Sequence, residues 1–183
     1  MTTVMRLGPG LTFLLGGARS GKSDLAVRLG AAFDGPVTFV ATAEALDDDM
    51  TRRIERHRAD RPAWPTVEAP SFGAADVGDV DPSSLLILDC VTLLVSNLVL
   101  AERSVPDHID ALAEALAARP GPSLAISNEV GMGVHPETEL GRIYRDELGW
   151  ANRRLADAAT DAFLVVAGRL LALDRAVPPV PGR

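Results

Sequence analysis

Short apolar runs alternate with amphipathic stretches along the whole chain. Five runs are almost uniformly apolar, as expected of parallel strands that are buried on both faces. The predicted strands cover residues 11–15, 37–41, 85–88, 123–127 and 162–166. Helical spacing of apolar residues predicts helices over residues 22–33, 47–58, 91–101, 105–118 and 138–159. The alternation predicts an α/β fold with a mostly parallel sheet flanked by helices.

Three parts of the chain lack such a pattern. Residues 61–84 are rich in Pro, Gly and Asp, and we expect a surface excursion there with one short strand around residues 64–68. Residues 1–10 and 174–183 are expected to form flexible ends. A chain of 183 residues suits a single domain, and no internal repeat divides it.

Composition and charge exclude several classes of protein. With 47% hydrophobic and 23% charged residues, the chain is too apolar for a disordered protein and too interrupted for a membrane protein. A net charge of -7 argues against a general nucleic-acid surface, which needs clustered Lys and Arg. Cys90 is the single cysteine, so no intramolecular disulfide can form. We therefore expect a soluble, cytoplasmic protein that binds neither nucleic acid nor membranes.

A phosphate-binding loop follows the first predicted strand. Eight consecutive residues fit the pattern G-x-x-x-x-G-K-[ST]: Gly16, Gly17, Ala18, Arg19, Ser20, Gly21, Lys22 and Ser23. Glycines let backbone N–H groups curl around phosphate oxygens, and the following helix adds the positive end of its dipole. We expect Lys22 to reach the β- and γ-phosphates and Ser23 to bind Mg²⁺. With the alternating elements, the loop predicts a P-loop NTPase fold of the RecA-like kind.

Asp89 directly follows the apolar run at residues 85–88. A parallel strand there would deliver this carboxylate to its carboxyl end, where P-loop enzymes hold Mg²⁺ or a bound water beside the phosphates. The alternative is that Asp89 is a loop carboxylate or caps the helix predicted from Val91.

Several further segments share the pattern of one enzyme family. They are Ala41-Thr42-Ala43-Glu44, Asp47-Asp48-Asp49-Met50, Arg53-Ile54-Glu55-Arg56-His57-Arg58, Arg61-Pro62, Asp89-Cys90-Val91-Thr92, Asn97-Leu98 and Asn128-Glu129-Val130-Gly131-Met132-Gly133, with Pro136, Arg145, Asp146, Gly149 and Asn152. Together with the phosphate loop they resemble the bifunctional adenosylcobinamide kinase/adenosylcobinamide-phosphate guanylyltransferase family of cobalamin biosynthesis. The resemblance covers nearly the whole chain, and its most specific part is the Asn-Glu-Val-Gly-Met-Gly stretch.

The resemblance implies two reactions. A nucleoside triphosphate, ATP or GTP, first phosphorylates the aminopropanol hydroxyl of adenosylcobinamide. GTP then transfers GMP to adenosylcobinamide phosphate through a guanylylated histidine, giving adenosylcobinamide-GDP and pyrophosphate. By matching position that histidine is His57. The resemblance further implies a homo-oligomer, with a trimer as the suggested state.

The chemistry around His57 leaves two interpretations open. A neutral imidazole is a competent nucleophile toward phosphorus near pH 7, and three flanking arginines could neutralise the charge of a nucleotide. However, Met50, Ile54 and His57 fall on one helical face, which also suits a half-buried structural histidine.

The resemblance also carries nucleotide contacts onto positions beyond the phosphate loop. They are Thr42, Ala43, Glu44, Arg58, Ala59, Asp60, Arg61, Glu68 and Asp89. Thr42 and Glu44 follow a predicted parallel strand, at the edge where ligands of such sheets bind. Either Glu44 or Glu68 could accept hydrogen bonds from guanine and so favour GTP over ATP. Taken alone, each acidic residue is equally explained as a solvated loop charge.

The loop at residues 128–133 should lie beside Asp89, because it follows the next predicted strand. Glu129 would position Mg²⁺ or the attacking hydroxyl, or would instead be a cap partner in a strand-to-helix turn. His108 is interpreted as a surface residue, and His135 could approach the substrate. Asp89 departs from the family, which often has Glu there; the reach is shorter but the charge is kept.

Two other functions fit the phosphate loop alone. One is a single-step P-loop kinase for another small alcohol, with His57 in a structural role. The other is a nucleotide-dependent switch or binding module, which would need segments ordered by the γ-phosphate that the sequence does not reveal.

Overall fold

The computed structural model describes residue 5 and residues 7–44, 51–52, 58 and 61–175. Seven strands form one sheet in this part of the chain: β1 (Gly10–Gly16), β2 (Val37–Ala41), β3 (Thr66–Glu68), β4 (Leu85–Asp89), β5 (Pro122–Asn128), β6 (Asp161–Val166) and β7 (Arg169–Ala172). Their order is β3-β2-β4-β5-β1-β6-β7. Neighbouring strands pair in parallel except β6 and β7, which form an antiparallel hairpin. The predicted mostly parallel sheet is confirmed.

Helices cover both faces of the sheet. They are α1 (Lys22–Ala31), α2 (Ala74–Asp79), α3 (Val91–Leu100), α4 (Val105–Ala118) and α5 (Glu139–Ala158). The α1 helix packs on one face, where Ala26 joins a buried cluster with Leu14 and Phe39. The other four helices contribute to a larger cluster on the opposite face. This arrangement confirms the predicted α/β architecture with flanking helices.

The β4 strand shows why the predicted strands are uniformly apolar. Leu86 and Leu88 face the α3–α5 side, whereas Leu85 and Ile87 face the α1 side, and all four are fully buried. Successive side chains of a strand point to opposite faces, so a strand covered by helices on both sides needs apolar residues at every position.

Most of the predicted bounds agree with the structure to within two residues. The predicted helix over residues 47–58 lies mostly outside the described residues. Its three described members, Thr51, Arg52 and Arg58, are helical.

The prediction of a surface excursion over residues 61–84 was partly wrong. The short strand is confirmed as β3, but the segment also forms α2 and contributes Phe72, Val77 and Val80 to the core. Phe72 is fully buried. Three core residues separated by polar and small residues are too few to produce a recognisable period, which explains why the sequence pattern missed them.

Some residues of the expected flexible ends are part of the described fold. Gly10 is the first residue of β1, and Met5 and Leu7 pack against the core cluster on the α1 side. Near the other end, the Arg175 guanidinium donates to the Asp157 carbonyl at 2.9 Å. The sequence pattern also missed β7, whose four residues are exposed.

Candidate functional site

Several residues singled out from the sequence meet at the carboxyl edge of the sheet. Ala41 at the end of β2 is in register with Glu68 of β3 and with Asp89 of β4. On the other side of β4, Gly16 at the end of β1 is level with Asn128 at the end of β5. Ligands of parallel sheets bind at this edge, so the strand order brings the phosphate loop and both carboxylates to one side of the molecule.

The phosphate loop is organised around the side chain of Lys22, which is only 6% exposed. Its Nζ donates to the Gly16 carbonyl at 2.8 Å, to the Gly17 carbonyl at 2.7 Å and to Ser20 Oγ at 3.3 Å. Gly21, with φ of 98°, is the N-cap of α1, and no side chain caps this helix. The first N–H groups of α1 and the ammonium of Lys22 therefore converge on one place, as required for binding phosphate.

Gly16 is required where the loop leaves β1. A Cβ atom at this position would lie 2.4 Å from the carbonyl oxygen of Val165 in β6. From the same hairpin, the Gly168 N–H donates to the Ser20 carbonyl at 2.8 Å. The β6–β7 hairpin therefore supports the phosphate loop from the side.

Two positively charged side chains, Lys22 and Arg61, interact electrostatically with Asp89. Burial lowers the pKa of Lys22, and the nearby charges of Cys90 and Asp89 oppose that shift. Burial also lowers the pKa of Arg61, an effect that Arg58 strengthens and Asp89 opposes. Asp89 thus lies within electrostatic range of both Lys22 and Arg61.

Asp89 is the last residue of β4 and precedes Cys90, which is the N-cap of α3. The side chain of Cys90 makes no cap hydrogen bond. The carboxylate of Asp89 and the hydroxyl of Ser23 in the first turn of α1 are the kind of oxygen ligand that Mg²⁺ prefers, so the donor set fits this ion. Among the described residues, no three His, Cys, Asp or Glu side chains form a cluster that could hold a metal.

Thr42 has its hydroxyl engaged within the protein. The residue is fully buried, and its Oγ1 donates to the Cys90 carbonyl at 2.7 Å while accepting from the Cys90 N–H at 3.0 Å. The Thr42 N–H also donates to the Asp89 carbonyl at 3.3 Å. These contacts tie the end of β2 to the end of β4. The next residues are open to a ligand, because Ala43 is half-buried and Glu44 is exposed.

A second group of charged residues lies at the β2–β3 side of the edge. Arg58 forms an ion pair with Glu68. The Arg61 guanidinium lies over the ring of Phe39, 4.0 Å from its centroid, and donates to Thr66 Oγ1 at 3.1 Å. Three other residues predicted for the site lie outside the described part of the chain: His57, Ala59 and Asp60.

The loop after β5 joins the phosphate loop directly. The Glu129 N–H donates to the Gly16 carbonyl at 3.1 Å, and Glu129 Oε1 accepts from the Gly131 N–H at 2.5 Å. The second contact favours the turn-stabilising interpretation of this carboxylate. His135 is exposed and its Nδ1 lies 2.8 Å from Arg145 Nη1. His108 is half-buried, with Nε2 2.8 Å from the Phe72 carbonyl oxygen, so it is more than a surface residue.

Two amides near the site, half-buried Asn97 and buried Asn152, had no role assigned from the sequence. Asn97 Nδ2 on α3 donates to the carbonyls of Thr42 and Pro70, both at 2.9 Å. Asn152 Nδ2 on α5 donates to the Asn128 carbonyl at 3.0 Å, and its Oδ1 is buried without a hydrogen-bond partner among the described residues. In the sequence, each asparagine is a polar residue on an otherwise apolar helix face. Such a residue predicts a hydrogen bond inside the protein, but it does not identify the acceptor.

The fold and the site define a nucleotide-binding protein of the P-loop NTPase class. Solved structures support the fold: a Pyrococcus horikoshii OT3 protein aligns with a TM-score of 0.56 at 8% identity, covering 92% of this chain and 87% of that one. A type III secretion ATPase aligns with a TM-score of 0.51 at 13% identity, covering 85% of this chain and 50% of that one. The chain belongs to the cobinamide kinase/cobinamide phosphate guanyltransferase family, whose model matches residues 12–173.

Curated relatives agree with this family assignment. The bifunctional adenosylcobalamin biosynthesis protein CobP of Pseudomonas aeruginosa is 44% identical over 85% of this chain and 92% of its own length. The bifunctional adenosylcobalamin biosynthesis protein CobU of Salmonella typhimurium is 38% identical over 86% of this chain and 96% of its own length. The resemblance inferred from the sequence is confirmed. In the described ranges, no helix is both long and apolar enough to cross a membrane.

Proposed function

We propose that this chain catalyses both reactions of its family on adenosylcobinamide. It would first phosphorylate the substrate hydroxyl with ATP or GTP. It would then transfer GMP from GTP to adenosylcobinamide phosphate through a guanylylated His57, giving adenosylcobinamide-GDP and pyrophosphate. Family membership over residues 12–173 carries this proposal, and the buried ammonium of Lys22 at the carboxyl edge supports it. We further propose that one domain performs both reactions in the cytoplasm.

In the kinase step, the phosphate loop binds the triphosphate. The backbone N–H groups of the loop and Lys22 surround the β- and γ-phosphates, while Ser23 and Asp89 would hold Mg²⁺. Bound Mg²⁺ neutralises charge on the phosphates. The substrate hydroxyl attacks the γ-phosphorus, the bond to the β-phosphate oxygen breaks, and the nucleoside diphosphate leaves. The hydroxyl proton passes to solvent or to a nearby base.

In the guanylyl step, the imidazole of His57 attacks the α-phosphorus of GTP and pyrophosphate leaves. A phosphate oxygen of adenosylcobinamide phosphate then attacks the guanylyl phosphorus and releases the imidazole. Splitting the transfer into two displacements lowers the barrier of each. Arg58 and Arg61 would neutralise the phosphates, and Ala59 and Asp60 complete the segment proposed to contact the nucleotide.

Guanine would be recognised by one of two carboxylates. Glu44 is exposed past the end of β2, whereas Glu68 is paired with Arg58. A carboxylate can accept from guanine N1–H and N2–H₂ together, which adenine cannot match. We favour Glu44, because Glu68 would first have to release its arginine. Ala43 would contribute through its backbone, and Thr42, whose N–H and hydroxyl are bonded within the protein, would place it beside the nucleotide.

We also propose that the protein is a homo-oligomer, with the trimer implied by the family as the expected state. Four large apolar side chains are exposed on the loop after β5 and on the first turns of α5. They are Met132 (81% exposed), Val134 (95%), Leu140 (51%) and Ile143 (45%), and we call them the apolar ridge. Contiguous exposed apolar patches mark interaction surfaces, and we propose that these four side chains form such a patch.

The covalent step is tested with GTP labelled at the α-phosphate. We expect an adduct that is labile in acid and stable in base, as a phosphoramidate is, and no adduct from GTP labelled at the γ-phosphate. The chain has three histidines, so single replacements cover every candidate. The His57→Asn variant should lose the adduct by about 100-fold or more while keeping the kinase step, because the nucleophile is removed.

His108→Asn and His135→Asn are the matched controls and should label as the wild type does. An unlabelled wild-type protein, or full labelling of His57→Asn, would contradict the covalent mechanism. A wild-type protein that forms no labelled adduct but still phosphorylates adenosylcobinamide would favour a single-step kinase.

A further inference from the structure

One side chain of α3 is bonded to two separate loops of the carboxyl edge. The Nδ2 group of Asn97 donates one hydrogen bond to the Thr42 carbonyl and one to the Pro70 carbonyl, each 2.9 Å long. Thr42 follows the last residue of β2, and Pro70 lies two residues beyond β3. A primary amide has two N–H donors, and here both are used on backbone acceptors.

The chain between these two anchor points is the part that carries the proposed guanylyl chemistry. Residues 43–69 include His57 and most of the nucleotide residues proposed outside the phosphate loop, among them Glu44, Arg58, Arg61 and Glu68. Asn97 therefore holds the first and the last backbone positions that flank this segment.

We propose that Asn97 is a positioning residue for guanylyl transfer, because its amide bonds to both backbone positions that flank the segment containing His57, in addition to the pairing of β2 with β3. This inference rests on the proposed function. Asn97 acts through the backbone of Thr42 and Pro70 and touches neither nucleotide nor substrate. An error of about 1 Å in the placement of a reacting group can reduce a rate about 100-fold, so a contact remote from the chemistry can be decisive.

The phosphate loop is held by other contacts. Lys22, the Gly168 N–H and the Glu129 N–H all donate to carbonyls of the loop, and none of these contacts involves α3. Thr42 also keeps its own hydrogen bonds to Cys90 at the end of β4. Loss of the Asn97 amide should therefore disturb guanylyl transfer far more than the kinase step.

The test compares both activities in Asn97→Ala and in Ser96→Ala, a change at the adjacent residue of the same helix. Formation of the guanylyl adduct is followed with α-labelled GTP, and phosphorylation of adenosylcobinamide with γ-labelled triphosphate. For Asn97→Ala we expect adduct formation to fall about 10- to 100-fold and the kinase rate to fall less than about threefold. Ser96→Ala should leave both rates unchanged.

Asn97→Asp provides a second readout and keeps the size of the side chain. An ionised carboxylate has no donor and would repel both carbonyls, whereas the protonated form can donate one hydrogen bond. The adduct rate of this variant divided by the wild-type rate should therefore rise as the pH falls. Taking the ratio removes the titration of His57 itself, and the same ratio for Ser96→Ala should be flat.

An equal loss of both activities in Asn97→Ala, or an adduct rate within twofold of the wild type, overturns the proposal. If the wild-type protein forms the adduct, either of these results leaves the proposed function intact. A wild-type protein that forms no adduct contradicts the proposed function itself.

Discussion

Lys22 shows how a single residue can be prepared for an anionic ligand. Its ammonium is buried, and its three contacts within 3.3 Å are to two carbonyl oxygens and one hydroxyl. Neutral acceptors replace water only incompletely, so burial lowers its pKa from the ordinary lysine value. A triphosphate would supply further negative charge beside the ammonium.

The titration of Lys22 can be observed directly, because it is the only lysine of the chain. Labelling with [ε-¹³C]lysine gives one signal whose chemical shift follows protonation. In the free protein we expect the pKa to lie below that of an ordinary lysine, since burial disfavours the charged form. A non-hydrolysable triphosphate should raise it, because phosphate charge favours the ammonium.

Lys22→Ala supplies the control for this experiment. The signal should vanish, and triphosphate use should fall about 100- to 1,000-fold, as expected when one preorganised donor is removed. A pKa at or above the ordinary value in the free protein, or full activity in Lys22→Ala, would contradict this account of the phosphate loop.

At the scale of elements, the two edges of the sheet are held in different ways. The carboxyl edge is tied by Thr42 and Asn97, whereas the amino edge is tied by Arg119 at the end of α4. Arg119 is 7% exposed. It donates to the Pro122 carbonyl of β5 at 2.9 Å, and to the Asp81 and Ser84 carbonyls before β4 at 2.8 Å and 3.2 Å.

Arg119→Ala should lower the free energy of unfolding by about 2–4 kcal/mol, because several buried carbonyls would lose a charged donor. Denaturant unfolding measures the change. Arg153→Ala, at an exposed position of α5, is the control and should lie within about 0.5 kcal/mol of the wild type. Nucleotide binding should be unchanged, since Arg119 lies at the opposite edge from the site. A loss below about 1 kcal/mol would show that Arg119 is not the main tie between these strands.

At the scale of the whole molecule, α5 is only partly covered. Leu148, Ala151 and Leu155 in its later turns are fully buried, whereas Leu140 and Ile143 in its first turns are exposed. Its apolar stripe thus begins in the apolar ridge, outside the core cluster. A second copy of the chain would cover the ridge, as the proposed oligomer requires.

The oligomer is tested by placing a charge in the ridge. Val134→Asp and Ile143→Asp should each convert the assembly to monomers in sedimentation experiments, because an unpaired buried charge strongly opposes association. Leu100→Asp is the matched control, since Leu100 is 58% exposed but lies outside the ridge, as the last residue of α3. A fully active wild-type monomer, or unchanged assembly of both ridge variants, would exclude this interface.

Particular residues show where prediction from sequence succeeds. The loop from Gly16 to Ser23 follows a buried strand and opens a helix, as the motif requires. Asp89 was placed correctly at the end of a parallel strand. Phe72 was missed, because one apolar residue among polar and small neighbours does not form a period. The role of His57 stays a prediction, since this residue lies outside the described part of the chain.

The sequence by itself determined most of the elements, the phosphate loop and the family, because these depend on short-range spacing and on residue types within a few positions of one another. Only the tertiary structure decided which backbone groups Thr42, Asn97 and Arg119 hold. Apart from the bond between Arg119 and the Pro122 carbonyl, those contacts join residues 27 to 55 positions apart. Their partners follow from strand order and register rather than from local pattern. Hydrogen bonds of this kind satisfy buried carbonyls, whose positions are set by the tertiary fold. The partners can therefore be identified only once the assembled sheet is known.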